Sequence, residues 1–319
     1  MKFAAVIVTF NRLGKLKETV ARTLCEPFSY VIVVNNASAD GTAAWLDALD
    51  EERLIVKYLP KNLGGAGGFH YGFKTAVDET DAEWLVCFDD DAYPERGVLA
   101  AFEALSLPDD VASVASAVYL PNGAISEMNR PRYNPFWHFR RFLKTAIKGK
   151  SGFYVPDGAY SSGTLSEIDA STFVGYFVRA DLVKTSMGLP RCELFIYADD
   201  LIYTMQAHKL GYRHLFCSKL KFVHDCDTLV NQQDIYRPVW KVYYTYRNRI
   251  EMYRVGFGLF FHPILWLQLP KWRAQAKYYE NPALFLRLFE LALSDAMKRD
   301  FSRSHEELLA FIEGVEHAG

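Results

Sequence analysis

The chain has 319 residues, half of them apolar and 15% aromatic, enough to bury a substantial core and to exclude wholesale disorder. Its 36 basic and 38 acidic side chains nearly cancel, which argues against a surface built throughout as a nucleic-acid clamp. Five scattered cysteines form no CxxC pair, so neither a disulfide framework nor a structural zinc site is indicated, and a reducing compartment is expected.

The first apolar run, Ala4 to Thr9, is short and β-branched and reads as a buried strand rather than a signal segment. Leu13 to Leu24 has helical spacing, and Tyr30 to Val34 is a second continuous run. The polar turn Asn35 to Thr42 leads into a short helix over Thr42 to Leu49. Leu54 to Leu59 reads as a third strand, Asn62 to Gly72 as a glycine-rich loop entering a helix, and Trp84 to Phe88 as a fourth strand that runs into Asp89-Asp90-Asp91. This alternation predicts an α/β fold with a mixed, mainly parallel sheet. Beyond residue 110 the strand signals shorten and mix, and from about residue 235 the pattern is helical and aromatic. No stretch of about 18 uninterrupted apolar residues predicts a membrane-spanning helix.

In open α/β sheets ligands sit beyond the carboxyl ends of the strands. Those ends here carry Asn11-Arg12, Asn35-Asn36, the glycine segment and the aspartate triplet. Three adjacent carboxylates repel one another unless a cation compensates, so a hard divalent ion, Mn²⁺ or Mg²⁺, is expected there. Asp89 and Asp91, two apart on an extended backbone, would project to the same side. Such an ion keeps positions for substrate phosphates, which makes a phosphate-bearing donor the natural ligand. The glycines would let backbone amides approach it. Neither a dinucleotide-binding fingerprint nor a Walker loop is present.

In order and spacing, Thr9-Phe10-Asn11-Arg12, Val33 to Thr42, the Asn62 segment and Phe88 to Ala92 resemble the family 2 glycosyltransferases of the GT-A fold. The Asn-Leu-Gly-Gly-Ala-Gly-Gly form is similar to the galactofuranosyltransferase and rhamnosyltransferase branch. The resemblance implies a GT-A catalytic domain over residues 1–235, with a nucleotide-sugar half (1–110) and an acceptor half (111–235), followed by a helical, basic-aromatic region (236–319). It implies donor contacts from Thr9, Phe10, Asn11, Arg12, Asn35, Asn36, Asn62, Gly64, Gly65, Gly67 and Asp90. It also implies a metal on Asp89, Asp91 and His224, a catalytic base at Asp200 and a partner carboxylate at Asp199. The acceptor would be lined by Gly175, Tyr176 and Asp199.

The implied activity is inverting, metal-dependent transfer of a sugar to a glycan or lipid-pyrophosphate-linked glycan in cell-envelope polysaccharide synthesis. UDP-galactofuranose is the first choice of donor and dTDP-rhamnose the second. One departure stands out: where many relatives carry an acid shortly after the base pair, this chain has Leu201-Ile202-Tyr203.

The near-zero net charge hides two basic stretches. Residues 129–150 hold seven cations and no acid, and residues 237–277 hold eight cations against Glu251 alone. Interleaved with Phe and Trp, they fit a surface resting on an anionic leaflet, placing the protein in the cytoplasm or on the inner face of the membrane; the alternative is an aromatic core with solvated charges. RNA binding and a metal-dependent nucleotidyltransferase are the competing classes. No nucleic-acid platform motif accompanies the basic residues, and the glycine segment follows strand three rather than strand one, so no nucleic-acid partner is expected.

Overall fold

The computed structural model describes residues 1–226 and 235–317. Its first unit follows the expected alternation: β1 (Phe3–Thr9), α1 (Leu13–Leu24), β2 (Tyr30–Asn35), α2 (Thr42–Asp47), β3 (Leu54–Tyr58), α3 (Gly64–Glu79) and β4 (Trp84–Asp89). These four strands are parallel in the order β3-β2-β1-β4. β1 is buried at every residue because both faces of the sheet are covered. Phe3, Ala5 and Ile7 point into the layer containing α1, while Ala4, Val6 and Val8 point toward α3, the alternation a strand dictates.

The second unit adds β5 (Ala92–Pro94), α4 (Val98–Glu103), β6 (Val111–Tyr119), α5 (Phe139–Lys148), α6 (Asp157–Ser161), β7 (Leu165–Ile168), β8 (Tyr176–Arg179), α7 (Ala180–Leu182), α8 (Asp199–Lys209) and β9 (Arg213–His224). β8 runs antiparallel to both β4 and β6, β9 lies parallel to β6, and β5 and β7 pair antiparallel with β9. One mixed sheet therefore spans both halves.

The glycine segment is not a loop. From Gly64 onward it is the first turns of α3, and the glycines let the helix lie close against its neighbours. A Cβ on Gly68 would sit 2.2 Å from Val8 Cγ1, and one on Gly72 2.3 Å from Val6 Cγ1, both well inside contact distance.

α9 (Lys241–Phe257), α10 (Phe261–Arg273), α11 (Pro282–Lys298) and α12 (His305–His317) form a third core that includes Phe195 of the acceptor half. Here the basic-aromatic reading divides. Arg247 is fully buried, with its guanidinium over Tyr243 and Tyr244. Arg249 lies over Tyr246 and Trp272, and Arg254 bonds Glu251 and the Ala296 carbonyl. Arg247 belongs to the interior and Arg249 and Arg254 are half-buried, with aromatic faces and carbonyls replacing part of their hydration. Phe139, Leu143, Leu259, Phe260, Trp266 and Leu267 remain exposed. The side chains of Lys144, Lys148 and Lys150 lie outside the described residues.

Candidate active site

Strand register assembles the site. Val8 pairs with Asp89 and Thr9 with Asn35, so the carboxyl ends of β1, β2 and β4 lie side by side. After Asp89 the chain turns rather than extends, and β5 returns with Ala92 opposite His224 of β9. The Asp225 amide donates to the Asp91 carbonyl at 2.8 Å. The turn and the β5–β9 pairing, not an extended two-residue spacing, bring Asp89, Asp91 and His224 together. One ligand atom from each lies within 4.8 Å of the others.

Asp90 points elsewhere. Its carboxylate accepts from Thr9 Oγ1 (2.8 Å) and Arg12 Nη1 (3.2 Å), and its carbonyl accepts from Thr19 Oγ1 (2.8 Å). Arg12 also reaches Asp91 Oδ2 at 2.6 Å, so it neutralises the crowded carboxylates. Burial, then the charge of Asp91, pushes the Asp89 carboxyl up to about 7, against the pull of His224. Burial acts in the same sense on Asp91, but His224 and Arg12 outweigh it and hold that carboxyl below its ordinary value. His224 is 3.1 Å from Asp91 Oδ1 through Nε2 and 2.7 Å from Asn129 Oδ1 through Nδ1. Asn129 is oriented by Ser126 Oγ, which donates to the same oxygen, and by its own Nδ2, which donates to Thr172.

On the acceptor side, Asp199 and Asp200 open α8. They follow Phe195, Tyr197 and Ala198, all at positive φ (66°, 71° and 61°), a conformation disfavoured for residues with a Cβ and held only by strong surroundings. α9 supplies them: Asn248 Nδ2 donates to the carbonyls of Leu194, Ile196 and Tyr197, and Arg247 Nη2 to those of Glu193 and Leu194. The C-terminal helices thus fix the turn that carries Asp199 and Asp200. The Leu201 amide donates to Asp200 Oδ1 at 2.6 Å. Burial raises Asp200 to about 6, opposed by its own turn amides and by Arg132. Burial and then Asp200 raise Asp199 well above the carboxylate range. Asp89 feels the charge of Asp200, and Asp199 that of Asp89, so the two carboxylate groups lie within electrostatic range of each other.

Several expected donor residues have internal duties. Asn36 donates to Asn62 Oδ1 and the Gly64 carbonyl and accepts from the Leu63 amide. Asn35 Oδ1 accepts from Ser38, and Asn11 Oδ1 from Ala39. Phe10 stays 40% exposed at this edge. The amides of Gly64 and Gly67 are already committed, to Asn62 Oδ1 and the Leu63 carbonyl. A Cβ at Gly64 would strike the Phe195 carbonyl, and one at Gly67 the Leu63 side chain, whereas Gly65 faces open space. The amide cradle expected of this segment is therefore replaced by helix packing at Gly64 and Gly67.

Gly175 and Tyr176 are corrected outright. Gly175 has φ of 66° with Phe222 and Ser116 against it, and Tyr176 is fully buried in the core beside Phe173, leaving no surface for an acceptor. Sequence reasoning missed Asn129, Arg132 and the α9 pair Arg247 and Asn248. An acid-free stretch beginning at Asn129 was visible, but nothing in it marked a partner for His224.

The donor set suits a hard divalent ion. Two carboxylates and an imidazole converge, and with Nδ1 of His224 hydrogen-bonded, Nε2 is the nitrogen that would ligate.

Glycosyl transferase family 2 matches residues 4–160. The chain is 27% identical over 263 residues to the galactofuranosyltransferase GlfT1 of Mycolicibacterium smegmatis, covering 77% of this chain and 80% of that protein. It is 25% identical over 264 residues to GlfT1 of Mycobacterium tuberculosis, at the same coverage. The fold is similar to that of S. aureus TarS residues 1–349 solved with UDP (TM-score 0.51, 16% identity, 93% of this chain and 72% of that one). It is also similar to the mannosyltransferase PcManGT of Pyrobaculum calidifontis solved with GDP-Man and Mn²⁺ (TM-score 0.51, 16% identity, 99% and 80%).

Proposed function

We propose that this chain, a glycosyltransferase of the GT-A fold that the family 2 model matches over residues 4–160, transfers galactofuranose from UDP-galactofuranose, with inversion, to a glycan or lipid-linked glycan acceptor. The observation that carries this reading is the convergence of Asp89, Asp91 and His224, within electrostatic range of Asp200, in a chain similar to galactofuranosyltransferases over most of its length.

Asp89, Asp91 and His224 would hold Mn²⁺ or Mg²⁺, which when bound would supply positive charge to stabilise the departing diphosphate. Asp200, with a value near neutrality, accepts the proton of the acceptor hydroxyl as it attacks the anomeric carbon. Asp199, whose carboxyl is pushed upward by burial and by Asp200, would orient Asp200 or the acceptor. Thr9, Arg12 and Asn35 lie at the strand ends where the nucleoside would rest. A glycosyltransferase with these neighbours sets aside the nucleotidyltransferase reading. The second donor, dTDP-rhamnose, keeps its place through the glycine segment alone. A thermal-shift comparison of UDP with dTDP in Mn²⁺ tests the choice: UDP raises the midpoint more, and a larger rise with dTDP overturns it.

The exposed apolar residues favour a membrane-bound acceptor. Phe142 of α5 stacks against Phe260, joining Phe139 (76% exposed) to Leu259 (97%), and α10 adds Trp266 (72%). Exposed Arg140 and Lys271 lie on the same elements. Aromatic and aliphatic groups rimmed by cations fit an anionic bilayer surface. No helix among the described residues is long and apolar enough to cross a membrane. Flotation with anionic vesicles is expected, and it weakens when Trp266 and Leu259 become Ser; vesicle binding unaffected by those changes removes the patch from this role.

A further inference from the structure

A second cluster of metal-ligating side chains lies away from the aspartate triplet. His138 precedes α5, Asp169 follows β7, and His208 is near the C-terminal end of α8. One ligand atom from each lies within 4.8 Å of the others. Asp169 Oδ1 is 2.9 Å from His138 Nε2 and 3.6 Å from His208 Nε2. A tetrahedral ion with bonds of about 2.0–2.1 Å spaces its ligands about 3.3–3.4 Å apart, and the two carboxylate–imidazole separations lie to either side of that spacing.

The three side chains are held rather than loosely gathered. Asp169 is 2% exposed and accepts the Asn134 amide at 2.7 Å. The His208 ring lies flat on Trp137, with centroids 4.5 Å apart and planes 8° from parallel. His138 is the open side of the cluster, with its side chain 40% exposed, giving an ion a route in and a position for water.

We propose that His138, Asp169 and His208 form a second metal site that takes a zinc-class ion. Two imidazoles and one carboxylate are a borderline-soft set, suited to Zn²⁺ or Co²⁺ more than to Mg²⁺, whereas the two-carboxylate cluster at the strand ends suits harder ions. The role is structural. His208 is eight residues beyond Asp200 on the same helix, about 12 Å along it, so the ion joins the far end of the base-bearing helix to the segments before α5 and after β7.

Zinc stoichiometry of the full chain, measured by equilibrium dialysis at neutral pH, tests this. Wild type is expected to hold two ions, one in each cluster. The Asp89→Asn/His224→Ala variant is expected to retain one, and adding Zn²⁺ is expected to raise its thermal midpoint. His138→Gln changes a part-exposed ring and should leave the midpoint in EDTA unchanged while removing one zinc and the tetrahedral Co²⁺ absorption from that background. Failure of the Asp89→Asn/His224→Ala variant to bind zinc, or the same zinc content with and without His138→Gln, overturns the assignment.

Discussion

Asn129 Oδ1 lies 2.7 Å from Nδ1 of His224, and that contact decides which imidazole nitrogen faces the aspartates. With Nδ1–H donated to the amide oxygen, Nε2 is turned toward Asp91. A metal-bound histidine depends on such a partner for its tautomer and ring orientation. Asn129→Leu is therefore expected to weaken Mn²⁺ affinity about 10–100-fold while leaving the thermal midpoint in EDTA within a few degrees of wild type. A Mn²⁺ titration superimposable on wild type would remove Asn129 from the site.

Asp200→Asn is expected to keep the fold and donor binding and to lose transfer by about 10²–10⁴-fold, the usual loss for a general base. The side chain keeps its size, so the Leu201 amide still finds an oxygen. Single-turnover rates with saturating donor make the measurement, and near-wild-type turnover would exclude Asp200 as base.

The glycines of α3 separate by position. Gly68→Ala drives a methyl into Val8 and is expected to destabilise by about 1–3 kcal/mol. Gly65→Ala meets nothing and, as a helix position, is expected to leave stability unchanged or raised by up to about 1 kcal/mol. Urea midpoints of the two variants, read with the donor KM, tell packing from binding: a KM rise confined to Gly65→Ala identifies the glycine that meets the donor.

Tyr243 is buried and donates to Asp295 Oδ2 at 2.7 Å. Burial is the main cause that raises its hydroxyl to about 12; Arg247 opposes this and Asp295 adds to it. The native state therefore keeps this proton to higher pH than the unfolded chain does. Its contribution is complete below pH about 10 and is lost as pH rises to about 12, about 2–3 kcal/mol in all. Tyr243→Phe lacks that loss, so urea unfolding at pH 8 and pH 11 should show a smaller decline for the variant than for wild type. Equal declines would contradict the assignment.

The nucleotide half was legible because its strands are continuous apolar runs and its first helix has a clean period. Leu13 to Leu24 is helical with the expected bounds. The glycine segment misled because glycine is read as a loop former. Yet Gly68 and Gly72 lie four residues apart, on one helical face, and that spacing was the sign of close packing against Val8 and Val6 of β1. His224 could be located only by resemblance; its approach to Asp91 depends on the pairing of Ala92 with His224, which no local pattern encodes. Arg247 looked like a surface cation because its charge says nothing of the tyrosines and carbonyls that enclose it. Tyr176 was placed in the acceptor pocket by resemblance alone, and nothing local showed that it lies in the core with Phe173 and Phe177.

The account rests on donor transfer supported by the Asp89, Asp91 and His224 cluster. Its most direct test is the rate of UDP release from UDP-galactofuranose, beside dTDP release from dTDP-rhamnose, with Mn²⁺ and with EDTA. UDP release that needs Mn²⁺, falls sharply in His224→Ala and exceeds dTDP release is the predicted result. Turnover of dTDP-rhamnose alone, or UDP release undiminished by EDTA, would contradict it.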